Sequence, residues 1–353
     1  MDLSVPCGRF YINYRQDKAI IRSKVQWLLF IAFIILMIFL PALLSGSWIG
    51  LVNRMGISII AVLGLAVLTG YTGQISLGQS AFMGIGAYAC AVMAGKIGLP
   101  FWLVIPSAGL VTGLIGIGFG LPAVRIKGFY LVIATMAAHY IFNFAILHLP
   151  SAWTGREQGI LVPVATLGGM TLNTEVKIYY LIMFCLALSL FFVKNLSRTR
   201  VGRAFVAIRD NDLAAQAIGV NLTGYKVMSF FICSFYAGVA GALWGYYVRL
   251  VGLEQFQVWF SVWFLGMLII GGMHSIMGVI FGVVFLKFLE EMAIIGGPFL
   301  NHIFPEIGAG IVFSSVNIIY GLSIALFLIF EPKGIAHRWE LFKAYYRLFP
   351  YRY

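Results

Sequence analysis

One apolar stretch of the sequence, residues 70–88, is interrupted by five glycines and by uncharged side chains that can form hydrogen bonds. The polar residues are Thr72, Gln74, Ser76, Gln79 and Ser80. Amides and hydroxyls of this kind can hold a small zwitterionic molecule weakly enough to release it. The other interpretation is that the small residues bring two helices close together. The residues alone leave both interpretations open.

A second glycine-rich interruption lies at 271–278, in the other half of the chain. It reads Gly-Gly-Met-His-Ser-Ile-Met-Gly and therefore contains His274 and Ser275. Each interruption follows an apolar run and precedes another run that contains glycine. Paired interruptions in two halves indicate internal pseudo-symmetry, with a site between the halves.

Other polar residues stand alone in apolar surroundings. His139 and Asn143 are four residues apart, so they share one helix face, either for structural hydrogen bonds inside the bundle or to face a solute. Arg54 and the pair Glu290–Glu291 are predicted near the outer ends of their helices, where charged side chains reach water. The sequence contains no G-x4-G-K-[ST], HExxH or GxSxG motif, so neither an ATPase nor a hydrolase is indicated.

The polar segment 195–225 contains a pattern typical of a short, capped helix at 211–218. Asn211 or Asp210 can cap its start, and Gly219 follows it where a left-handed cap belongs. Its apolar stripe is Leu213, Ala214, Ala217 and Ile218. A two-turn helix is not stable alone in water, so it must dock. Its own membrane helices and a partner protein are equally compatible with the residues.

The composition requires a membrane. The chain is 61% hydrophobic and 10% charged, whereas soluble domains are about 45–50% apolar and about 25% charged. The net charge of +12 comes from basic residues in short segments between apolar runs, which indicates membrane orientation and not nucleic-acid binding. The four scattered cysteines form no CxxC pair and are predicted to pack as small apolar residues.

Ten spans of roughly 20 apolar residues are predicted in an all-α polytopic fold. They cover residues 25–46, 50–69, 75–95, 101–122, 128–149, 176–194, 226–248, 258–273, 276–294 and 307–330. Basic clusters at both termini and in the segment after the sixth span place these parts in the cytoplasm, which requires an even number of spans. Eight spans fit as well if two glycine-rich segments are re-entrant. The predicted parts are a cytoplasmic segment 1–24, a membrane domain 25–330 that contains 195–225, and a cytoplasmic tail 331–353.

Within this bundle we predict a path for a solute along the two interruptions and the fifth span. Its predicted residues are Tyr71, Thr72, Gln74, Ser76, Gln79, Phe82, Tyr88, His139, Asn143, His274 and Ser275.

Residues 70–88 resemble a long motif of LivM-type permease subunits of branched-chain amino acid ABC importers, approximately G-Y-x-G-Q-x-S-L-G-x-x-A-F-x-G-x-G-A-Y. Thirteen residues match it: Gly70, Tyr71, Gly73, Gln74, Ser76, Leu77, Gly78, Ala81, Phe82, Gly84, Gly86, Ala87 and Tyr88. The segment 202–221 is similar to the coupling segment of the same family. The resemblance extends over about 50–332. The chain departs from the pattern at Gln79, where the family usually has His, and at His274, where it usually has Gly, so the exact substrate is not implied.

The resemblance implies a multi-pass subunit in the bacterial inner membrane with the fold of a type II ABC importer permease, of which the vitamin B12 importer is an example. It implies four kinds of partner: a second, LivH-like permease, two LivG- and LivF-like ATPases, an extracytoplasmic binding protein, and membrane lipid. ATP and Mg²⁺ are expected in the ATPases, and no cofactor in this chain. The residues implied to contact the ATPases are Gly202, Arg203, Arg209, Asn211, Asp212, Leu213, Ala214, Ala215, Ala217, Ile218 and Gly219.

Two alternatives differ from this hypothesis in substrate or in energy source. Urea and amide ABC importers are close relatives of the same family. An ion-coupled secondary transporter needs acidic residues near the middle of its spans, and the predicted spans contain none in their central thirds.

Overall fold

A computed structural model describes residues 24–126, 128–167, 170–303 and 310–348. Most of the predicted cytoplasmic segment 1–24 lies outside the described residues, as do 307–309 of the tenth predicted span and 349–353 of the predicted tail. The described chain is almost entirely helical, which confirms an all-α polytopic protein.

The helices follow the apolar runs of the sequence. They are α1 Lys24–Leu43, α2 Gly46–Leu65 with a π-helical extension Ala66–Tyr71, α3 Gln79–Val92 with a π-helical extension Met93–Ile97, α4 Phe101–Ala123, α5 Phe129–His148, α6 Ser151–Thr154, α7 Glu175–Leu196, α8 Arg200–Asp210, α9 Asp212–Ala217, α10 Leu222–Val248, α11 Val258–Gly271, α12 Ile276–Ile303, α13 Gly310–Phe330 and α14 Ile335–Leu348. Short 3₁₀ turns cover Arg156–Gln158 and Leu253–Phe256. Four two-residue strands complete the described structure: β1 Ile160–Leu161, β2 Thr166–Leu167, β3 Met170–Thr171 and β4 Leu250–Val251.

Each of the ten predicted segments overlaps one long helix. Within the described residues, seven helices are long and apolar enough to cross a membrane, or eight if the bent pair Val316–Phe330 and Ile335–Tyr345 forms one span. The third predicted segment was wrong at its start, since residues 75–78 belong to a turn and α3 begins at Gln79. Three helices were not predicted: α6, α8 and α14.

The bundle has two distinguishable ends. At one end Gly50, near the start of α2, lies close to Glu175 and Tyr247, and β1 pairs with β4 in antiparallel fashion. At the other end α2 finishes beside α8, because Arg209 donates a hydrogen bond to the carbonyl of Gly70 over 3.3 Å. We call these the β1–β4 end and the α8–α9 end.

The core of the bundle is α10, which packs against α2, α3 and α4. Close approach of α10 and α3 depends on glycine. A Cβ at Gly241 would lie 1.9 Å from the carbonyl oxygen of Met83, and a Cβ at Gly86 would lie 2.4 Å from Gly238. The glycines of these helices therefore allow the backbones to touch, which is how helices gain packing contacts when lipid offers no hydrophobic driving force.

Candidate functional site

The first interruption forms a turn between α2 and α3. The last six residues of α2 widen into a π-helix, and residues 72–78 leave the helix before α3 begins. Gly73 has a φ of 71°, a left-handed conformation that favours glycine. Gly70 is required for space, because a Cβ there would lie 2.0 Å from the carbonyl oxygen of Met273. The two interruptions predicted from the sequence are therefore in direct contact.

Most polar side chains of this turn form hydrogen bonds within it. The Thr72 hydroxyl donates to a carbonyl of the preceding helical turn, and the Thr69 hydroxyl donates to the carbonyl of Gln74 over 3.0 Å. The Ser76 hydroxyl accepts from the N–H of Gly78 over 3.2 Å. The side-chain amide of Gln74 is buried and has no hydrogen-bond partner among the described residues. Local bonding thus accounts for these hydroxyls but not for the Gln74 amide.

The start of α3 is tied to two other helices by polar contacts. The fully buried Gln79 donates to the carbonyl of Ala61 on α2 over 2.6 Å and accepts from the Cys233 thiol on α10 over 3.1 Å. Next to it, the hydroxyls of Ser80 and Ser261 lie 2.7 Å apart. These hydrogen bonds satisfy the buried polar side chains at the start of α3, which begins inside the bundle.

A third group of predicted residues lies between α3 and α5. His139 and Asn143 share a face as predicted, with 3.2 Å between the ring Nε2 and the amide nitrogen. The Tyr88 hydroxyl and the His139 Nδ1 are buried without a partner in the described structure. The Tyr88 ring contacts Phe142 edge-on, with 6.0 Å between ring centroids. Phe82 is buried one turn into α3.

The second interruption is a tight turn between α11 and α12. Gly272 has a φ of 110°, and Ser275 accepts from the N–H of Gly278 over 3.3 Å. His274 is exposed at the α8–α9 end. Desolvation of its ring and the nearby Arg209 guanidinium lower the pKa of His274, so the imidazole is neutral at pH 7.

The segment after α7 packs firmly on the bundle. The Thr199 hydroxyl caps α8 by accepting from the N–H of Gly202 over 3.4 Å. Gly202 is also required for space, since a Cβ would lie 2.4 Å from the carbonyl oxygen of Leu196. Phe205 and Ile208 are buried. Arg203 donates back to the carbonyl of the residue five positions earlier over 3.2 Å.

Arg209, the next-to-last residue of α8, joins this segment to both interruptions. Its guanidinium lies 2.8 Å from Asp210 and donates to the Gly70 carbonyl. A Cβ at Gly73 would lie 3.0 Å from the Arg209 side chain. Gly70 in turn lies against the carbonyl of Met273 in the second interruption. A displacement of α8 would therefore be felt at both interruptions.

The predicted short helix is present as α9, with the predicted caps. The Asn211 side chain accepts from the N–H of Ala214 over 3.1 Å. Gly219, at a φ of 89°, forms a Schellman motif, in which the N–H of Val220 bonds the carbonyl of Ala215 over 3.0 Å. Ala215 is buried against the protein. An ion pair of 3.8 Å joins Asp212 of α9 to Lys226 of α10.

The opposite side of α9 is apolar and exposed. Leu213 is 71% exposed and Ile218 is 77% exposed, and Ala214 and Ala217 are exposed beside them. The helix docks on its own protein through the buried Ala215 and the Asp212–Lys226 ion pair, and it leaves its apolar stripe exposed.

The charged residues predicted at the outer surface instead form a network between helices. Arg54 of α2 lies 2.8 Å from Glu291, and Lys287 lies 2.7 Å from Glu290, which also accepts from the Tyr320 hydroxyl over 2.8 Å. The predicted solvation of the two glutamates was wrong because α12 has 28 residues, so that these charges lie near its middle.

Lys287 was not predicted as a site residue. The spacing could have indicated it, because Glu290 and Glu291 follow Lys287 by three and four residues. Residues at this spacing share one helix face, so an ion pair with Lys287 is expected. Charged residues within membrane helices are costly and mark functional sites. The expectation of no acidic residue in the central third of a span was wrong for α12, since Glu290 lies near the middle of this helix.

A cavity of about 410 Å³ lies against this network, towards the β1–β4 end. Arg54, Lys287 and Glu290 line it together with Ser80 and with aromatic residues of α11. None of the eleven predicted pathway residues lines it. The structure therefore divides the predicted pathway residues between the two turns and the α3–α5 contact, and it adds a site that the sequence did not indicate.

Comparison with known proteins identifies relatives over most of the chain. The family model described as "Branched-chain amino acid transport system / permease component" matches residues 47–329. The high-affinity branched-chain amino acid transport system permease protein LivM of Salmonella typhimurium is 30% identical over 299 residues, which is 78% of this chain and 70% of the relative. The protein of the same name from Escherichia coli is 29% identical over 291 residues, 76% of this chain and 68% of the relative.

A more distant relative is the autoinducer 2 import system permease protein LsrC of Enterobacter sp. (strain 638). It is 27% identical over 268 residues, 72% of this chain and 74% of the relative. No solved structure matches the chain significantly.

Proposed function

Since the chain belongs to the family of permease components of branched-chain amino acid transport systems, we propose that it forms half of the translocation pathway of an ATP-driven importer for branched-chain or related amino acids. The observation that carries this proposal is the family match over residues 47–329. The chain is a membrane-embedded transport subunit and not an enzyme.

The exposed stripe of α9 supports a contact with a cytoplasmic ATPase. Leu213 and Ile218 expose large apolar surfaces on a helix that is held rigidly by the Asn211 cap and the Gly219 motif. Burial of such side chains against a partner is favourable by roughly 1.5–3 kcal/mol each. A capped, rigid helix loses little conformational freedom on binding. We assign α9 as the element that enters a groove on the ATPase.

Motion would then pass from α9 through α8 to the membrane helices. Arg209 ends this route, because it contacts Gly70 and Gly73 of the first turn and acts on His274 of the second. Nucleotide-dependent displacement of α9 would shift both turns together and change access to the pathway.

The proposed assembly contains a second, LivH-like permease, two LivG- and LivF-like ATPases and an extracytoplasmic binding protein. ATP and Mg²⁺ would bind to the ATPases, which supply the energy. The proposed topology has ten spans, formed by α1, α2, α3, α4, α5, α7, α10, α11, α12 and α13. Both termini and the segment 195–225 would be cytoplasmic in the bacterial inner membrane, as the basic clusters favour.

The α9 contact is tested by a double substitution on its exposed side. Leu213→Ser with Ile218→Ser should abolish copurification of the ATPases and leucine uptake in proteoliposomes, while the chain itself keeps its thermal stability. Gln216→Ser, at another exposed position of the same helix, is the matched control and should retain both. Full ATPase binding by the double variant would contradict the assignment.

Gly219→Val tests the rigid cap without changing the exposed stripe. No atom lies within 4 Å of a Cβ at this position, so its effect is backbone strain at a positive φ and not a steric clash. We expect loss of transport-coupled ATP hydrolysis with the membrane bundle still folded. Normal uptake with normal stimulation of ATP hydrolysis would count against coupling through α9.

The urea or amide importer remains the alternative within the same family. The solute that the copurified binding protein binds distinguishes the two. Binding of leucine, isoleucine or valine supports the proposal, and binding of urea or a short amide supports the alternative.

A further inference from the structure

The cavity beside the charged network opens towards the β1–β4 end and reaches into the helical bundle. Lys287 and Glu290 are 11 and 14 residues beyond the start of α12, which is roughly 16–21 Å along the helix. The hydrocarbon core of a bilayer is about 30 Å thick. Ser58 and Ser80, from α2 and α3, line the same cavity. It is therefore bordered by α2, α3 and α12.

Charged side chains of both signs line this cavity. Two cationic side chains, Arg54 and Lys287, line it together with two carboxylates, Glu254 and Glu290. Glu254 is exposed and makes no ion pair with any described residue. Fixed charges of both signs favour a ligand that itself carries one charge of each sign.

The remaining lining is apolar. Phe256, Phe260, Trp263 and Phe264 contribute aromatic surface, and Met267 lies with them. A volume of about 410 Å³ is within the range of roughly 300–1,000 Å³ found for small-molecule sites. The charged groups of the network thus border space that a small molecule can enter.

We propose that this cavity is a membrane-embedded binding site for an α-amino acid with an apolar side chain. Lys287 and Arg54 hold its carboxylate, Glu254 and Glu290 hold its ammonium group, and the aromatic residues contact its side chain. The ligand carboxylate replaces Glu290 as the partner of Lys287, so that binding leaves no charge unpaired. This inference rests on the proposed import of amino acids and assigns part of the selectivity to the permease.

Thiol labelling tests occupancy of the cavity without breaking the network. Ser58→Cys places a thiol in the cavity lining, in a chain whose half-buried Cys185 is changed to Ser. In the assembled importer, leucine should slow the reaction of this thiol with a small methanethiosulfonate by roughly fivefold or more, and glutamate should not, because its second carboxylate gives it a net charge. Ser107→Cys, outside the cavity lining, should react at the same rate with and without leucine.

Uptake kinetics test the charges. Lys287→Gln should raise the KM for leucine by roughly tenfold, the loss expected for one charged hydrogen bond, whereas the exposed Lys177→Gln should leave KM unchanged. The Kd of the binding protein for leucine is measured separately, so that a KM change is assigned to the permease. If the Lys287 variant does not assemble, the labelling result decides.

The outcomes separate this inference from the proposed function. Leucine uptake by the unmodified importer, with an unchanged labelling rate of Ser58→Cys, would overturn the cavity site alone. Absence of leucine uptake and of leucine protection would overturn both. Protection by leucine together with a raised KM in Lys287→Gln supports both.

Discussion

The turn at 72–78 and the cavity beside Lys287 lie in the same bundle but use their polar groups in different ways. In the turn, the hydroxyls of Thr72 and Ser76 are occupied by backbone partners within a few residues. At the cavity, Arg54 and Lys287 are paired with carboxylates and also border open volume. Polarity within a membrane segment therefore marks a binding site only where local backbone bonds do not already account for it.

The substitution with the largest expected effect on stability tests the structural role of the first turn. Gly70→Ala places a Cβ 2.0 Å from a backbone carbonyl of the second turn, which cannot move aside as a side chain could. We expect a loss of about 3 kcal/mol or more in thermal unfolding of the purified chain. Gly118→Ala in α4 is the matched control, because no atom lies within 4 Å of its Cβ.

Gly118→Ala should leave stability unchanged or raise it by up to about 1 kcal/mol, as expected for alanine in a helix interior. Equal stability of the Gly70 and Gly118 variants would show that the two turns do not touch.

The next largest loss of stability is expected from substitutions that test whether the charges beside the cavity form ion pairs. Arg54→Gln and Glu291→Gln each leave one charge without its partner, between groups that are 29% and 15% exposed. Because of that exposure we expect a loss of roughly 1–3 kcal/mol, less than for fully buried pairs. The double variant should recover part of this loss, as measured by a double-mutant cycle of unfolding free energies. Additive losses would argue against the pair.

The sequence was sufficient for the positions of the long apolar helices and for the caps of α9. Apolar runs, glycines and Asn211 act over a few residues, so their consequences are visible along the chain. The Arg54–Glu291 pair was not predictable, since it joins residues 237 positions apart. It depends on α12 being longer than its predicted span, 276–294.

The predicted pathway residues show a related limit of prediction from the sequence. Residue type alone does not reveal whether a hydroxyl or amide already has a backbone partner. Thr72 and Gln74 have similar surroundings in the sequence, yet the Thr72 hydroxyl is bonded and the Gln74 amide is not. Only the path of the backbone through the turn distinguishes them.

Two glutamines of the first interruption make this difference measurable. Gln79→Leu removes bonds to Ala61 and Cys233 in a fully buried site, and we expect a loss of about 1–2 kcal/mol in unfolding free energy. Gln74→Leu removes an amide without a partner among the described residues, so stability should be unchanged or higher. If Gln74 contacts the solute, as predicted, leucine uptake falls in Gln74→Leu although its stability does not. Unchanged uptake would remove Gln74 from the pathway.

The smallest change in stability is expected where the first turn and the cavity meet. Ser80 lies at the start of α3 and also lines the cavity, and its N–H and hydroxyl both contact the Ser261 hydroxyl, at 2.9 Å and 2.7 Å. Ser80→Ala and Ser261→Ala should each lose about 0.5–1.5 kcal/mol, the net value of a neutral hydrogen bond. Because each variant removes the same hydroxyl contact, the double variant should lose less than the sum. A coupling near zero would show that the first turn and the cavity respond independently, and a coupling of about 0.5 kcal/mol or more would show that α3 and α11 transmit changes between them.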